Sequence, residues 1–268
     1  MSVLFNIGRV LLGMGLVADG VWNLATWDLR AAYLDLTGAP HIVTALTAFV
    51  LIGAGLAIAI DRAVKPAAAA AGLMLLVVSL VLFSDPNGKG IGEYPPEFHF
   101  EVIFKEWVVH IAIMGALLFL AQTARGEALS TYAKIGRAII GIYFLTNAGW
   151  QIAYYDIRIE HLQQVGSNPN ALPIVIGMQI LCGLLVIAGR FLWVGIVPLV
   201  VVITASTVAV HGDLSPTAPY PANLQIHQWF VKGDILAGLL MILGHHLGAR
   251  RPRSATGSTV PKAAHGIA

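Results

Sequence analysis

Phe191–Gly212 reads FLWVGIVPLVVVITASTVAVHG and contains no Asp, Glu, Lys or Arg. A helix that crosses a bilayer needs about 20 mostly apolar residues, because its backbone must satisfy its own hydrogen bonds across a hydrocarbon core about 30 Å thick. This stretch meets that length and predicts a membrane helix. Leu36–Ile60, Pro66–Ser84, Trp107–Ala124, Ala138–Tyr155 and Leu162–Gly189 are equally free of charge, and Val10–Trp27 carries only Asp19. Trp229–Leu247 is a further apolar stretch, holding Lys232 and Asp234. The pattern predicts an all-α, polytopic membrane protein with eight transmembrane helices and both ends of the chain on one side. Asp19 and Trp22 stand where a signal peptide would need small residues for cleavage, so the first stretch reads as a retained helix.

Composition agrees with this reading. Of 268 residues, 57% are apolar and 11% are charged, and the mean hydropathy is +0.77. Soluble domains carry about 25% charged residues, so this chain is too poor in charge to solvate a globular surface. A net charge of +2 excludes the strongly basic balance of a nucleic-acid binder. The single cysteine excludes an internal disulfide, a Cys-x-x-Cys centre and a thiolate zinc site, and no metal site is expected.

Sorting charges by side changes the meaning of the small total. The face with the chain ends gathers eleven basic residues against two acidic ones, a balance of +9. The opposite face holds five basic and twelve acidic residues, a balance of −7. Basic loops stay in the cytoplasm, so both ends are predicted there, with the protein in the inner (plasma) membrane. Residues 250–268, rich in Ser, Thr, Gly, Ala and Pro, lack apolar periodicity and read as a disordered cytoplasmic tail.

The chain also matches itself at an offset of 128 residues. Ile7-Gly8-Arg9 falls on Ile135-Gly136-Arg137, Gly13 on Gly141, Trp22 on Trp150, Gly55 on Gly183, and Arg62 on Arg190. His99 falls on His227 and Glu106 on Asp234. Each half has an even number of spans, so the repeats are parallel, related by an axis along the membrane normal. Units at 1–126 and 127–249 follow. The paired glycines predict close helix packing, and Arg9, Arg137, Arg62 and Arg190 read as anchors that snorkel to cytoplasmic headgroups.

Chemistry-bearing residues concentrate on the outward side. Asp19 and Trp22 in the first half answer to Asn147 and Trp150 in the second; His99, Lys105 and Glu106 answer to His227, Lys232 and Asp234. These ten are the candidate cofactor-binding residues. An interfacial aromatic belt accounts for the rings without a ligand, whereas ionisable residues in the apolar zone are costly unless paired or wetted and are candidate functional groups. Asp19 is the sharpest case, and a structural pairing with Lys105 or Arg30 would also explain it. His110 reads as a helix-to-helix hydrogen bond, and no facing histidine pair points to haem. Cys182, opposite Ala54 in the repeat, reads as a small packing residue.

The Ile-Gly-Arg opening, the Gly-rich second helix and the lysine before the fourth helix resemble the DoxX/DoxD group of bacterial and archaeal membrane proteins. The resemblance covers residues 4–124 and 132–248, as a tandem pair of four-helix units. It implies a membrane subunit supporting a quinone-linked respiratory or sulfur-compound oxidoreductase, of the thiosulfate:quinone type, together with an extracytoplasmic or membrane redox protein. A quinone is the cofactor it implies, bonded by His99, Lys105, Glu106 and Asp19 between aromatic rings. The duplication and the lack of a fused soluble domain depart from the usual unit. Two other readings stand beside it: a non-catalytic anchor or assembly factor docking a partner on its acidic face, and a small-molecule transporter. Besides the lipid bilayer, a homo-oligomer is compatible with all three.

Overall fold

The computed structural model describes residues 2–26, 41–84, 96–123, 129–164, 166–211 and 222–249, and every regular element among them is helical. The predicted tail and the loop containing Arg30 lie outside the described residues. In the first half α1 (Val3–Thr26), α2 (His41–Ala59), α3 (Val64–Ser84) and α4 (Pro96–Thr123) follow one another. The second half contains α5 (Thr131–Ala153), α6 (Tyr155–Gln164), α7 (Leu172–Ala188), α8 (Leu192–His211) and α9 (Ala222–Ala249).

Four segments are long and apolar enough to cross a membrane: Val3–Ala25, Pro169–Ala188, Leu192–Ala209 and Gln228–Ala249. Shorter apolar stretches run through α2, α3 and α4 at Thr44–Ala59, Val64–Leu80 and Trp107–Thr123. Lys134, Arg137, Asn147 and Gln151 make α5 more polar. Large apolar side chains such as Phe49, Leu73, Leu181 and Val201 stand exposed on the outside, as expected of a lipid-facing surface.

One predicted helix is divided. Leu162–Gly189 does not form a single span: its start belongs to α6, and α7 begins only at Leu172. The break has a local cause. Gly166 adopts φ +69°, its N–H bonds Gln163 O, and Ser167 N–H reaches back to Leu162 O, closing α6 with a Schellman motif. Asn168 then accepts from the N–H of Asn170, and Pro169 opens a single 3₁₀ turn, Pro169–Ala171, that leads into α7.

Glycines set the distances between helices. A Cβ on Gly13 would lie 2.6 Å from Gly55 O, and one on Gly55 2.5 Å from Gly13 O, so α1 and α2 touch backbone to backbone. Gly141 and Gly183, their repeat mates, bring α5 and α7 together in the same way, at 2.8 and 3.0 Å. Packing density replaces the hydrophobic drive that lipid cannot supply between helices.

The loops after α2 and α7 are also duplicates. Asp61 and Gly189, mates at the ends of these helices, both take left-handed φ, 62° and 69°, and Ala63 and Phe191 follow at 48° and 49°. Arg9 Nη1 donates to the last carbonyls of α2, Ile58 O at 2.5 Å and Ala59 O at 2.9 Å, and sits 3.6 Å from the Asp61 carboxylate. Arg137 repeats the device with Nη2 on Ile187 O at 3.3 Å. Arg9 is therefore buried and caps a helix terminus instead of snorkelling to headgroups. The unsatisfied carbonyls at a helix C-terminus carry partial negative charge, which favours a guanidinium there.

Packing between elements follows the ring α1, α2, α3, α4, α5, α7, α8, α9, which closes because α9 lies antiparallel to α1. α4 and α9 also meet across it, where Gly238 faces Ala116. Hence α1 packs on the fourth long helix of the other half, and α5 packs on α4. One hydrophobic core, including Phe5, Leu12, Leu51, Phe119, Phe144 and Ile196, draws on all eight long helices.

Candidate functional site

On α5, Tyr143, Thr146, Asn147 and Trp150 stand at i, i+3, i+4 and i+7 and so occupy one helix face. Phe104 and Val108, one turn apart on α4, stand opposite. These six residues line a small cleft of about 20 Å³, room for about one water molecule. Ligand sites span roughly 300–1,000 Å³, so a ring enters this place only where α4 and α5 part.

Its walls are apolar and its polar groups are few. The indole Nε1 of Trp150 is buried without a hydrogen-bond partner among the described residues, and its ring lies 4.5 Å from that of Tyr154. Lys232 Nζ, reaching from α9, donates to the Tyr143 hydroxyl at 3.2 Å and lies 6.0 Å from the ring centroid. With its oxygen accepting from that ammonium, the Tyr143 phenol has its own hydrogen left to donate. Asn147 Nδ2 donates to Gln179 Oε1 at 3.0 Å, fixing the amide against α7. The seam thus holds two groups with a hydrogen to donate, the Trp150 indole and the Tyr143 phenol, beside an almost wholly apolar cleft. A buried donor left unbonded costs about 1–3 kcal/mol, which an acceptor oxygen would offset.

The equivalent place in the first half is the seam of α1 and α9, where Gly15, Ala18, Asp19 and Trp22 replace Tyr143, Thr146, Asn147 and Trp150. Here the Asp234 carboxylate fills the space beside Gly15: a Cβ on that glycine would lie 1.8 Å from Oδ1. Trp22 meets Phe230 edge to face, centroids 6.5 Å apart. Asp19 and Asp234 are 1% and 0% exposed.

The structure accordingly divides the sequence candidates. Asn147 and Trp150 line the cleft, and Lys232 joins them through Tyr143; Asp19, Trp22 and Asp234 belong to the α1/α9 seam. His99, Lys105, Glu106 and His227 stand on the long helices α4 and α9, and their side chains lie outside the described residues. His110 makes a helix-to-helix contact, its Nδ1 2.9 Å from Ser79 Oγ, which itself donates to Leu75 O. Among the described residues, no group of three His, Cys, Asp or Glu side chains converges as a metal site.

Gln179 is legible in the sequence as one of the few midplane polar residues, with Asp19, Asn147 and His110, but not as the partner of Asn147. Thr146 and Tyr143 lie one and two steps back from Trp150 along one helix face, whereas nothing local points to Phe104 and Val108, because the α4 wall depends on which helices pair.

No protein-family model, no curated protein and no solved structure matches the chain.

Proposed function

We propose that this protein is a DoxX/DoxD-type integral membrane subunit that supports a quinone-linked respiratory or sulfur-compound oxidoreductase. In this reading all eight long helices cross the membrane, α4 and α9 extend beyond it, and both chain ends are cytoplasmic. The resemblance in the Ile-Gly-Arg openings and the lysine in the early part of each fourth long helix, Lys105 and Lys232, supports the family. The α4/α5 seam is the observation that carries the chemistry: on one apolar seam stand Trp150, whose indole nitrogen has no hydrogen-bond partner among the described residues, and Tyr143, held by Lys232.

A bound quinone would supply two-electron redox chemistry that side chains lack. The chain's own part is to hold the ring. Phe104 and Val108 exclude water, Trp150 Nε1 and Tyr143 Oη orient the oxygens, and Lys232 holds the Tyr143 phenol in place through the Nζ–Oη hydrogen bond. Electrons come from a partner protein, docked on the acidic outer face by charge attraction that salt weakens.

The test uses the full chain purified in mild detergent and titrated with a short-chain ubiquinone analogue, read by quenching of tryptophan fluorescence. Saturable binding is expected, weakened about tenfold by Trp150→Phe, which keeps the ring and removes one hydrogen bond. Absence of saturable binding overturns the quinone reading. A partner that co-purifies at low salt and leaves at high salt would then identify a docking subunit.

A further inference from the structure

The turn that joins α2 to α3 and the turn that joins α7 to α8 share one backbone and differ in side chains. Asp61-Arg62-Ala63-Val64-Lys65 in the first half answers to Gly189-Arg190-Phe191-Leu192-Trp193 in the second. Ala63 and Phe191 take left-handed φ of 48° and 49°, a conformation costly for a residue with a Cβ. The turn forms around Ala63, so its geometry does not depend on an aromatic ring. Phe191 is nevertheless 64% exposed and Trp193 55% exposed, and neither belongs to the core. The segments on either side, Pro169–Ala188 and Leu192–Ala209, are long and apolar enough to cross a membrane. When they do, this turn stands at a membrane surface, the depth that aromatic rings favour.

Charge separates the two corners further. In the first, Arg9 has an anion beside it, the Asp61 carboxylate at 3.6 Å. In the second, Gly189 replaces the aspartate, and a Cβ on this glycine would collide with the guanidinium of Arg137, the mate of Arg9. Among the described residues Arg137 makes one hydrogen bond, from Nη2 to Ile187 O at 3.3 Å, and its Nε is buried with no partner. Arg190 is exposed next to Gly189 in the turn, and Lys134 is exposed one turn before Arg137 on α5, where the first half has Asn6. α8 starts at Leu192, and the N–H groups of its first turn add partial positive charge. Cationic groups thus gather beside exposed aromatic rings, on a turn that carries no carboxylate.

From this we infer that the α7/α8 corner binds one anionic phospholipid. Its phosphate diester stands toward Arg137 as the Asp61 carboxylate stands toward Arg9, Arg190 and Lys134 add further cations, and Phe191 and Trp193 lie along the glycerol and acyl carbons. A guanidinium suits a phosphate because its planar donors match two oxygens at once, and basic pockets between membrane helices hold lipid headgroups in this way. The exposed rings favour a lipid over a free phosphate, which gains nothing from apolar area. The α2/α3 corner has its own carboxylate and no ring, and is not a site. The inference needs α7 and α8 in the membrane and is independent of the quinone reading.

Native mass spectrometry of the full chain in mild detergent, titrated with dioctanoyl phosphatidylglycerol, tests it. One tight adduct per chain is expected, with dioctanoyl phosphatidylcholine and glycerol phosphate each binding about tenfold more weakly or worse. Arg190→Gln removes an exposed charge and should weaken the phosphatidylglycerol adduct about tenfold. Phe191→Ala, which installs the residue that the first turn already carries, should weaken it several-fold. Arg62→Gln, the matching change in the first turn, should leave it unchanged. Equal retention of the phosphatidylcholine, or equal losses from Arg190→Gln and Arg62→Gln, overturns the inference. Glycerol phosphate bound as tightly as the lipid, with no effect of Phe191→Ala, would make this a site for free phosphate and overturn the lipid. Absence of any adduct also ends the inference, and leaves the quinone titration, which depends on other residues, to be judged by itself.

Discussion

Pro198 sits inside α8, where it removes the N–H that would bond Val194 O four residues back. The helix continues past it, and Cys182 Sγ, on α7, lies 3.9 Å from that carbonyl and donates its weak S–H to it. The cysteine is thus matched to a neighbour's defect as well as to tight packing. Replacement by Ser, a stronger donor of similar size, should preserve the thermal midpoint better than replacement by Val. A scan of the two variants beside the parent checks this. The arginine caps offer a sharper comparison. Arg9 serves two carbonyls and a carboxylate, Arg137 one carbonyl at a longer distance. Arg9→Met should therefore destabilise by about 2 kcal/mol, as expected for losing charge-assisted bonds to buried acceptors, and Arg137→Met by less. Denaturant or thermal unfolding in detergent reads the difference. Sequence identity alone marked these arginines as equivalent; their partners, and hence their burial, depend on where a neighbouring helix ends.

Among the helices, glycine spacing was the most readable feature. Gly13, Gly55, Gly141 and Gly183 are identified by the repeat and do form the two backbone contacts. Gly53, two residues from Gly55, meets nothing within 4 Å. Gly55→Leu should therefore part α1 from α2 and abolish a monodisperse elution profile, while Gly53→Leu should leave it intact; size-exclusion chromatography separates the two outcomes. The α6 break was less readable. Hydropathy averaged over a span-length window passes over a ten-residue polar helix, although Asn168-Pro169 and Gly166 mark a turn. Recognition of the cleft failed for a third reason. Trp150 and Asn147 were evident as residue types, but Tyr143 and Lys232 matter through each other, across two helices whose contact no local pattern encodes.

In the molecule as a whole, the two halves share one large core, beside a small cluster at Ala148, Leu172 and Ile176, and exchange their fourth long helices across the ring. Separate expression of residues 1–126 and 127–268 should yield little stable protein from either, and co-expression should restore a complex with the elution volume of the intact chain. Recovery of either half as a stable monomer would contradict that expectation. The proposed sidedness is checked independently by reporter fusions, which should read cytoplasmic after Arg62, Arg125 and Arg190 and external after Gly90, Gly166 and Asp213. Both the eight crossings and the charge balance of +9 against −7 stand on that pattern.

The seam between α1 and α9 also governs the order of events during synthesis. About 200 residues separate the two helices, an interval of about 10–40 s at ribosomal rates. Throughout it the face of α1 that carries Gly8, Gly15 and, one turn further, Asp19 has no α9 to rest on, and a carboxylate facing lipid is costly. In the proposed membrane topology the carboxylate of Asp19 therefore gains its α9 neighbour only when the chain is nearly finished. The last long helix to emerge completes the seam that the first one begins, and a chain that stops before α9 leaves that face of α1 uncovered.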